Sequence, residues 1–402
     1  MPYPALSAAP RRPSSRWESL PHLLSQRVQE RPEATLYRFL DHGEREGVCL
    51  TCGELDRRAR AVAAALRQAG CGGERVLLLF PPGADFFVAF FGCLYAAAVA
   101  VPVYPPRPND RLERLDAVAA DCAARGVLTV AALRSRVETW AAAQPAERPP
   151  VVLAVDDLPA AGDWRMPDLR ADSLALLQYT SGSTATPRGV CVTHAHLLEN
   201  SACIDAGFRH DADSVIVSWL PTFHDMGLVY GVIQPLYAGV PAVHMSPLSF
   251  LQRPARWLRA VSRYRGTHSG GPNFGYELCL RKVRPEQETE LDLSSWRVAY
   301  NGSEPVRADT LQRFADVFAA LGFRSHALCP AYGMAETTLK VSAASPGEPV
   351  TVLSVDAAAL EEHRLRPVAP GSPGARRLVG CGPVGDGLEV RIVDPESATP
   401  CD

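Results

Sequence analysis

Lysine is almost missing from this 402-residue chain. Of its 41 basic residues only Lys282 and Lys340 are lysines, so any chemistry that needs an amine has two positions to use. Every other fixed positive charge is a planar arginine fork, which binds anions with different geometry from a compact ammonium. Charge of either sign is not in excess: 44 acidic residues leave a net charge of −3, no footprint for general nucleic-acid binding. Eleven cysteines are scattered through mostly apolar stretches. Cys49 and Cys52 form a lone C-x-x-C, and a closed zinc site needs four ligands. Neither G-x-x-x-x-G-K-[ST] nor G-x-S-x-G occurs, which argues against a Walker-type phosphate loop and against a serine-hydrolase elbow. Met1–Arg16 is rich in Pro, Ala and Ser without an apolar centre; disorder is expected there and a secretory signal is not. A reduced, cytoplasmic protein is the expectation.

Long uncharged runs are also scarce. One of them, Phe86 to Val103, is 18 residues long, the lower limit for a membrane span. Pro102, Pro105 and Pro106 crowd its end, so a buried helix over about Ala84–Ala97 followed by a buried strand over Val99–Tyr104 is predicted, and no membrane span.

What remains is an ordinary globular composition, 47% hydrophobic and 21% charged, long enough to bury a large core without disulfides. Leu20, Leu23, Leu24 and Val28 mark one helix face. Thr51 and Glu54 form a capping box ahead of Leu55, Ala59, Val62, Ala63 and Leu66 at helical spacing, with Gly70 as the stop. Apolar strands are predicted at Val76–Phe80, Gly126–Val130 and Val151–Val155, with a helix at Arg111–Ala124 between them. This alternation calls for a parallel sheet covered by helices. Leu311, Phe314, Ala315, Phe318 and Leu321 form the stripe of a further helix closed by Gly322, before a short strand at His326–Cys329. Beyond Lys340, Pro and Gly become dense and short β-like pieces are expected at Thr351–Val355 and Leu388–Val393. The expected division is a disordered segment 1–16, a first α/β part 17–170, a second α/β part 171–340 carrying the functional sites, and a β-rich part 341–402.

Four segments carry chemistry. The strand Leu174–Tyr179 runs into Thr180, Ser181, Gly182, Ser183 and Thr184, and a second strand leaves from Val190. Glycine lets backbone N–H groups approach a polyanion, hydroxyls add donors and Arg188 adds charge: the chemistry of a phosphate cradle. An apolar strand delivers His224 and Asp225 to a loop beside Gly227, where an imidazole can meet a carboxylate or a phosphate. The stretches Asn301–Glu304 and Tyr332–Glu336 each follow a strand, where open α/β sheets bind ligands. Tyr332 offers a flat face to a base, and Glu336 a hard oxygen to Mg²⁺.

In this order, together with Val101–Pro106 and Gly271–Phe274, these segments resemble the adenylate-forming superfamily, and within it most closely the fatty acyl-AMP ligases. The resemblance runs from about Arg16 to Pro395. It implies an α/β fold of two stacked αβα subdomains plus a partial β-barrel subdomain. It also implies ATP-dependent formation of an acyl-adenylate with release of pyrophosphate, then transfer to the phosphopantetheine thiol of an acyl carrier protein. Thr180, Ser181, Gly182, Ser183 and Thr184 would hold the phosphates. Asn301, Gly302, Ser303 and Glu304 would line the adenine pocket, with Tyr332 against the base, and Gly333, Met334 and Ala335 would also bind the nucleotide. His224, Arg188 and Glu336 would be the catalytic groups, and Glu336 the Mg²⁺ ligand. Phe223–Phe250 and Ser269–Phe274 would shape an acyl tunnel. The stretch Thr351–Arg377 looks like the insertion that separates these ligases from CoA ligases. Two residues depart from the family pattern: Ala185 stands for a glycine and Arg188 for a lysine. The family's later elements (a ribose-binding aspartate, a hinge and a C-terminal lid domain with a catalytic lysine) have no counterpart before Asp402. The alternatives are a nucleotide- or adenylate-binding chain without turnover, and an acyl-CoA ligase.

Overall fold

The computed structural model describes residues 17–106, 112–145, 149–160, 164–180 and 187–401. The expected disorder of 1–16 and most of the expected phosphate cradle, Ser181 to Thr184, lie outside the described residues, as does Ala185.

Two open sheets carry the fold. The first orders its strands Val151–Ala154, Gly126–Thr129, Arg75–Leu79, Val99–Val103, Leu174–Thr180 and Arg188–Thr193. All neighbours are parallel except the last pair. The second orders Lys340–Ala343, Leu328–Gly333, Val298–Asn301, His268–Gly271, Ile216–Ser218, Ala242–Met245, Thr35–Asp41 and Arg45–Thr51, parallel inside and antiparallel at both edges. Sheet membership does not follow the expected boundary at 170/171. The hairpin 35–51 joins the second sheet through Tyr37 opposite Ala242, and the strands 174–180 and 188–193 close the first.

Strand alternation sorts the first sheet's side chains to two faces. Leu77 and Leu79 pack with Leu115, Val118, Val137 and Trp140 on one side. Val76 and Leu78 face the larger core shared with the second sheet. That shared layer holds the helices Cys52–Gln68 and Ala84–Tyr95. Here the uncharged run finds its place: a buried helix and the buried strand Val99–Val103. Phe87 is wedged between the sheets, 4.6 Å from the Tyr37 ring, 4.8 Å from Phe39 and 4.9 Å from His244. Full burial of such a side chain stabilises the fold by roughly 2–3 kcal/mol. No helix among the described residues is long and apolar enough to cross a membrane.

The last part of the chain forms a two-stranded antiparallel ladder, Val352–Asp356 with Ala375–Val379, and isolated bridges such as Ser342 with Val384. The strand expected at Leu388–Val393 does not form: Leu388, Val390 and Ile392 are exposed, and only Val393 makes a bridge, to Pro400. The short strand expected at His326–Cys329 starts later, as a 3₁₀ turn Ser325–Ala327 followed by Leu328–Gly333.

Candidate active site

The carboxyl ends of strands from both sheets open onto one place, the position where open α/β sheets gather ligands. A cleft of about 410 Å³ is lined there by Tyr104, Arg114, Gln178, Thr180, His224, Asp225, Ser303, Gly333 and Ala335. Two further concavities share Ser303 and Gly333 with it. One is a small, mostly apolar cavity of about 50 Å³ reaching Met226, Tyr230, Tyr300 and Tyr332. The other is a groove of about 1040 Å³ running past Glu304, Tyr332 and Arg376.

Thr180 closes the base of a hairpin, paired in register with Arg188. Arg188 itself is exposed and lines none of these concavities. The arginine that reaches the cleft is Arg114, from the helix Glu113–Asp121, whose Nη2 donates to the Thr180 carbonyl at 3.3 Å. Nothing in the sequence around Arg114 separates it from the other arginines. One residue before Tyr179, Gln178 is buried and donates from Nε2 to the Phe223 carbonyl at 2.9 Å, while its Oε1 has no partner. Gln178 therefore ties the strand that carries Thr180 to the loop that carries His224.

That loop is shaped by Gly227. A Cβ there would lie 2.0 Å from the Pro221 carbonyl oxygen, so only glycine lets the chain double back so tightly. The segment Met226–Ile233 continues as a π-helix, a rare form that recurs at functional sites. His224 sits just before it, half exposed, with Nδ1 2.7 Å from Asp225 Oδ1. The hydrogen bond to Asp225 raises the His224 pKa above the ordinary imidazole value, against the opposing effect of burial. Pairing at Nδ1 leaves Nε2 free for a ligand; protonated, it donates.

Gly302 and Ser303 follow the strand Val298–Asn301. Ser303 adopts φ +65°, left-handed backbone that non-glycine residues rarely take, and borders all three concavities. Asn301 does not face them. It is fully buried and donates from Nδ2 to Asn273 Oδ1 at 3.3 Å, and Asn273 Oδ1 also accepts from Arg307 N. It braces the loop from behind. Glu304 borders the large groove, and its Oε1 accepts from Phe274 N at 2.5 Å, at the start of the helix Asn273–Lys282. Tyr332 exposes its ring between the small cavity and the groove. Beyond it, Leu339 N donates to Thr337 O across Thr338, whose φ of +73° and ψ of −58° make a strained γ-turn. Within this tight loop Met334 and Glu336 are exposed and border none of the three concavities. No cluster of three or more metal-ligating side chains exists among the described residues. Of the expected site residues, then, Thr180, His224, Gly302, Ser303, Glu304, Tyr332, Gly333 and Ala335 are brought together; Arg188, Asn301, Met334 and Glu336 stand behind or beside them.

The AMP-binding enzyme family matches residues 24–402. A medium-chain-fatty-acid–[acyl-carrier-protein] ligase, JamA of Moorena producens, is 44% identical over 96% of this chain, which spans 66% of that protein. A long-chain-fatty-acid–AMP ligase of Mycobacterium tuberculosis is 36% identical over 95% of this chain, with 67% of its own length covered. The crystal structure of a fatty acid AMP ligase from Legionella pneumophila superposes with a TM-score of 0.90 at 38% identity, over 96% of this chain and 67% of that one. A second structure from L. pneumophila, a fatty acyl-adenylate ligase in complex with acyl adenylate and pyrophosphate, gives 0.89, also at 38% identity and with the same coverage. With strands, loops and sequence in agreement over nearly its whole length, the chain belongs to the AMP-binding enzymes, in their fatty acyl-AMP ligase branch.

Proposed function

We propose that this chain carries the adenylating site of an enzyme that activates a fatty acid with ATP and hands the acyl group to an acyl carrier protein. The observation that supports it best is the single cleft at which Thr180, His224, Ser303 and Gly333 converge from four different strand ends. In this reading a carboxylate oxygen of the acid attacks the α-phosphorus of ATP. The bond from that phosphorus to the bridging oxygen breaks, pyrophosphate leaves and acyl-adenylate remains. The phosphopantetheine thiol then attacks the acyl carbon, a thioester forms, AMP departs and the thiol proton passes to solvent. Such chemistry depends mainly on positioning and on neutralising charge.

The side chains have parts to match. His224 borders the cleft while Asp225 holds Nδ1, so the ring keeps its proton more readily and its unpaired Nε2 would donate toward the carboxylate or α-phosphate. Thr180 and the residues after it would hold the phosphates, with Arg114 bracing the Thr180 carbonyl. The Tyr332 ring would lie against the adenine, with Gly302 and Ser303 opposite. Glu336 is exposed and makes no hydrogen bond or ion pair among the described residues, a lone carboxylate suited to Mg²⁺, which keeps most of its coordination for water and phosphate. That ion would neutralise phosphate charge. All eleven cysteines are free thiols, in keeping with a cytoplasmic enzyme.

Pyrophosphate release with ATP, Mg²⁺ and straight-chain fatty acids of graded length tests the reading. It should be acid-dependent and fall by roughly 10²-fold or more in His224→Ala. Release that does not depend on the acid, or a fully active His224→Ala, would sink it.

A further inference from the structure

The small cavity beside the cleft is lined by Ile204, Phe208, Met226, Tyr230 and Leu339, an apolar wall suited to an acyl chain. Asp225, Ser303 and Tyr332 belong also to the neighbouring concavities, and the Tyr230 hydroxyl meets His210 Nε2 at 3.3 Å. Two further polar side chains break that wall. Tyr300 is 3% exposed, and its hydroxyl has no hydrogen-bond partner. Lys340 is 7% exposed; its Nζ donates to the Cys203 carbonyl at 2.9 Å and lies 5.5 Å from the centre of the Phe208 ring. An ammonium has three N–H donors, and one contact to a carbonyl leaves two. A buried hydroxyl without a partner destabilises the fold, and a buried ammonium with unmet donors does so more strongly. An acyl cavity needs neither group: leucine and phenylalanine would fill both positions without that cost.

We propose that Tyr300 and Lys340 form a polar terminus to the acyl cavity and select acids whose chain carries an oxygen acceptor (a hydroxyl, an oxo group or a second carboxylate) away from the reacting carboxyl. This rests on the fatty-acid-activating reading above and sharpens its substrate class. A cavity of about 50 Å³ admits only a few heavy atoms beside Tyr300 and Lys340, so the acceptor belongs on the part of the chain that reaches them. Binding would give the Tyr300 hydroxyl its missing partner and use a free donor of Lys340. The conversion of this loss to gain is what makes discrimination large: a site that holds unpaired polar groups rejects the analogue lacking the matching atom.

The test uses non-reactive acyl-adenylate mimics, acyl sulfamates of adenosine, titrated calorimetrically into the chain. A short straight-chain acyl mimic is compared with its ω-hydroxy, ω-oxo and ω-carboxy counterparts. At least one oxygenated mimic should bind roughly tenfold tighter than the straight-chain mimic, about 1.4 kcal/mol. Tyr300→Phe and Lys340→Met, which keep the volume and remove the polar atom, should each bring that ratio toward one. Tyr300→Phe removes an unpartnered hydroxyl and keeps the fold, so the test survives a misfolded Lys340→Met. Straight-chain binding as tight as every oxygenated form, or a ratio that neither substitution moves, overturns the inference and leaves the adenylating reading standing. If no mimic of either kind binds, the adenylating reading itself falls, and this inference with it.

Discussion

Replacing Gly227 by alanine sets two physical rules against each other. In a helix interior the exchange normally stabilises, by about 1 kcal/mol, because alanine has less backbone freedom to lose. Here the new Cβ would lie 2.0 Å from the Pro221 oxygen and 2.6 Å from its carbon, and a backbone carbonyl cannot step aside as a side chain can. Relieving the clash must push the Pro221–Asp225 loop away from the π-helix, at an overpacking cost of about 1–3 kcal/mol. The loop that moves carries His224, so a displacement of about 1 Å should cost roughly 10²-fold in turnover. Gly231, in the same π-helix, is the control: its Cβ would meet His244 Cε1 and Ser218 Oγ at 3.4 Å, ordinary contact. Denaturant unfolding and pyrophosphate release, measured on both variants, should show Gly231→Ala neutral or stabilised and active, and Gly227→Ala destabilised and nearly inactive. Equal stability and equal activity in the two would refute the claim that this close approach positions the site.

Further outcomes follow from the buried polar groups. Burial pushes the His194 pKa down to about 4, and those of His244 and His268 to about 3. The unfolded chain therefore binds the extra protons first, and stability should be full above about pH 6.5 and fall as the pH drops toward 4. A tenfold difference in proton affinity is worth about 1.4 kcal/mol, so His194 alone accounts for roughly 3 kcal/mol by about pH 4; urea midpoints against pH, with His194→Gln as the flattened comparison, measure it. Asp225→Asn should lower the His224 pKa, since the carboxylate is what raises it. If protonated His224 is the working form, the high-pH fall in kcat/KM should then move to lower pH, and an unmoved profile would separate the pair from the chemistry. Gln178→Leu leaves the Phe223 carbonyl without its donor and should cost about 1–3 kcal/mol of stability, with a drop in kcat/KM for the acid read by the same release assay.

Periodicity carried the helices because one face of each is buried: Leu55, Ala59, Val62 and Leu66 fall on the inner side of Cys52–Gln68. The hairpin 35–51 escaped the same reading, since its second strand is mostly exposed and offers no apolar alternation. Which sheet a strand joins is set by partners far along the chain, so the placement of 174–193 in the first sheet leaves no local trace. The glycine- and hydroxyl-rich loops were visible as loops after strands, and the cleft forms at those strand ends. Composition could not say that Asn301 turns inward or that Glu304 gives an oxygen to Phe274 N, because both depend on the neighbouring helix. Arg114 and Gln178 act through single contacts to carbonyls, for which no residue pattern exists.

The path of the chain between the sheets also bears on how the protein is made. The hairpin 35–51 emerges from the ribosome well ahead of its partner, since Tyr37 pairs with Ala242, beyond the entire first sheet in the sequence. Until that strand arrives, the inner edge of the hairpin presents unpaired backbone groups, a template for pairing with other chains. Completion of the second sheet must wait for long-range closure, the slow step in such topologies. Expression yield should therefore respond to chaperone supply and to edge charges near Thr35–Asp41 more than to changes around the cleft.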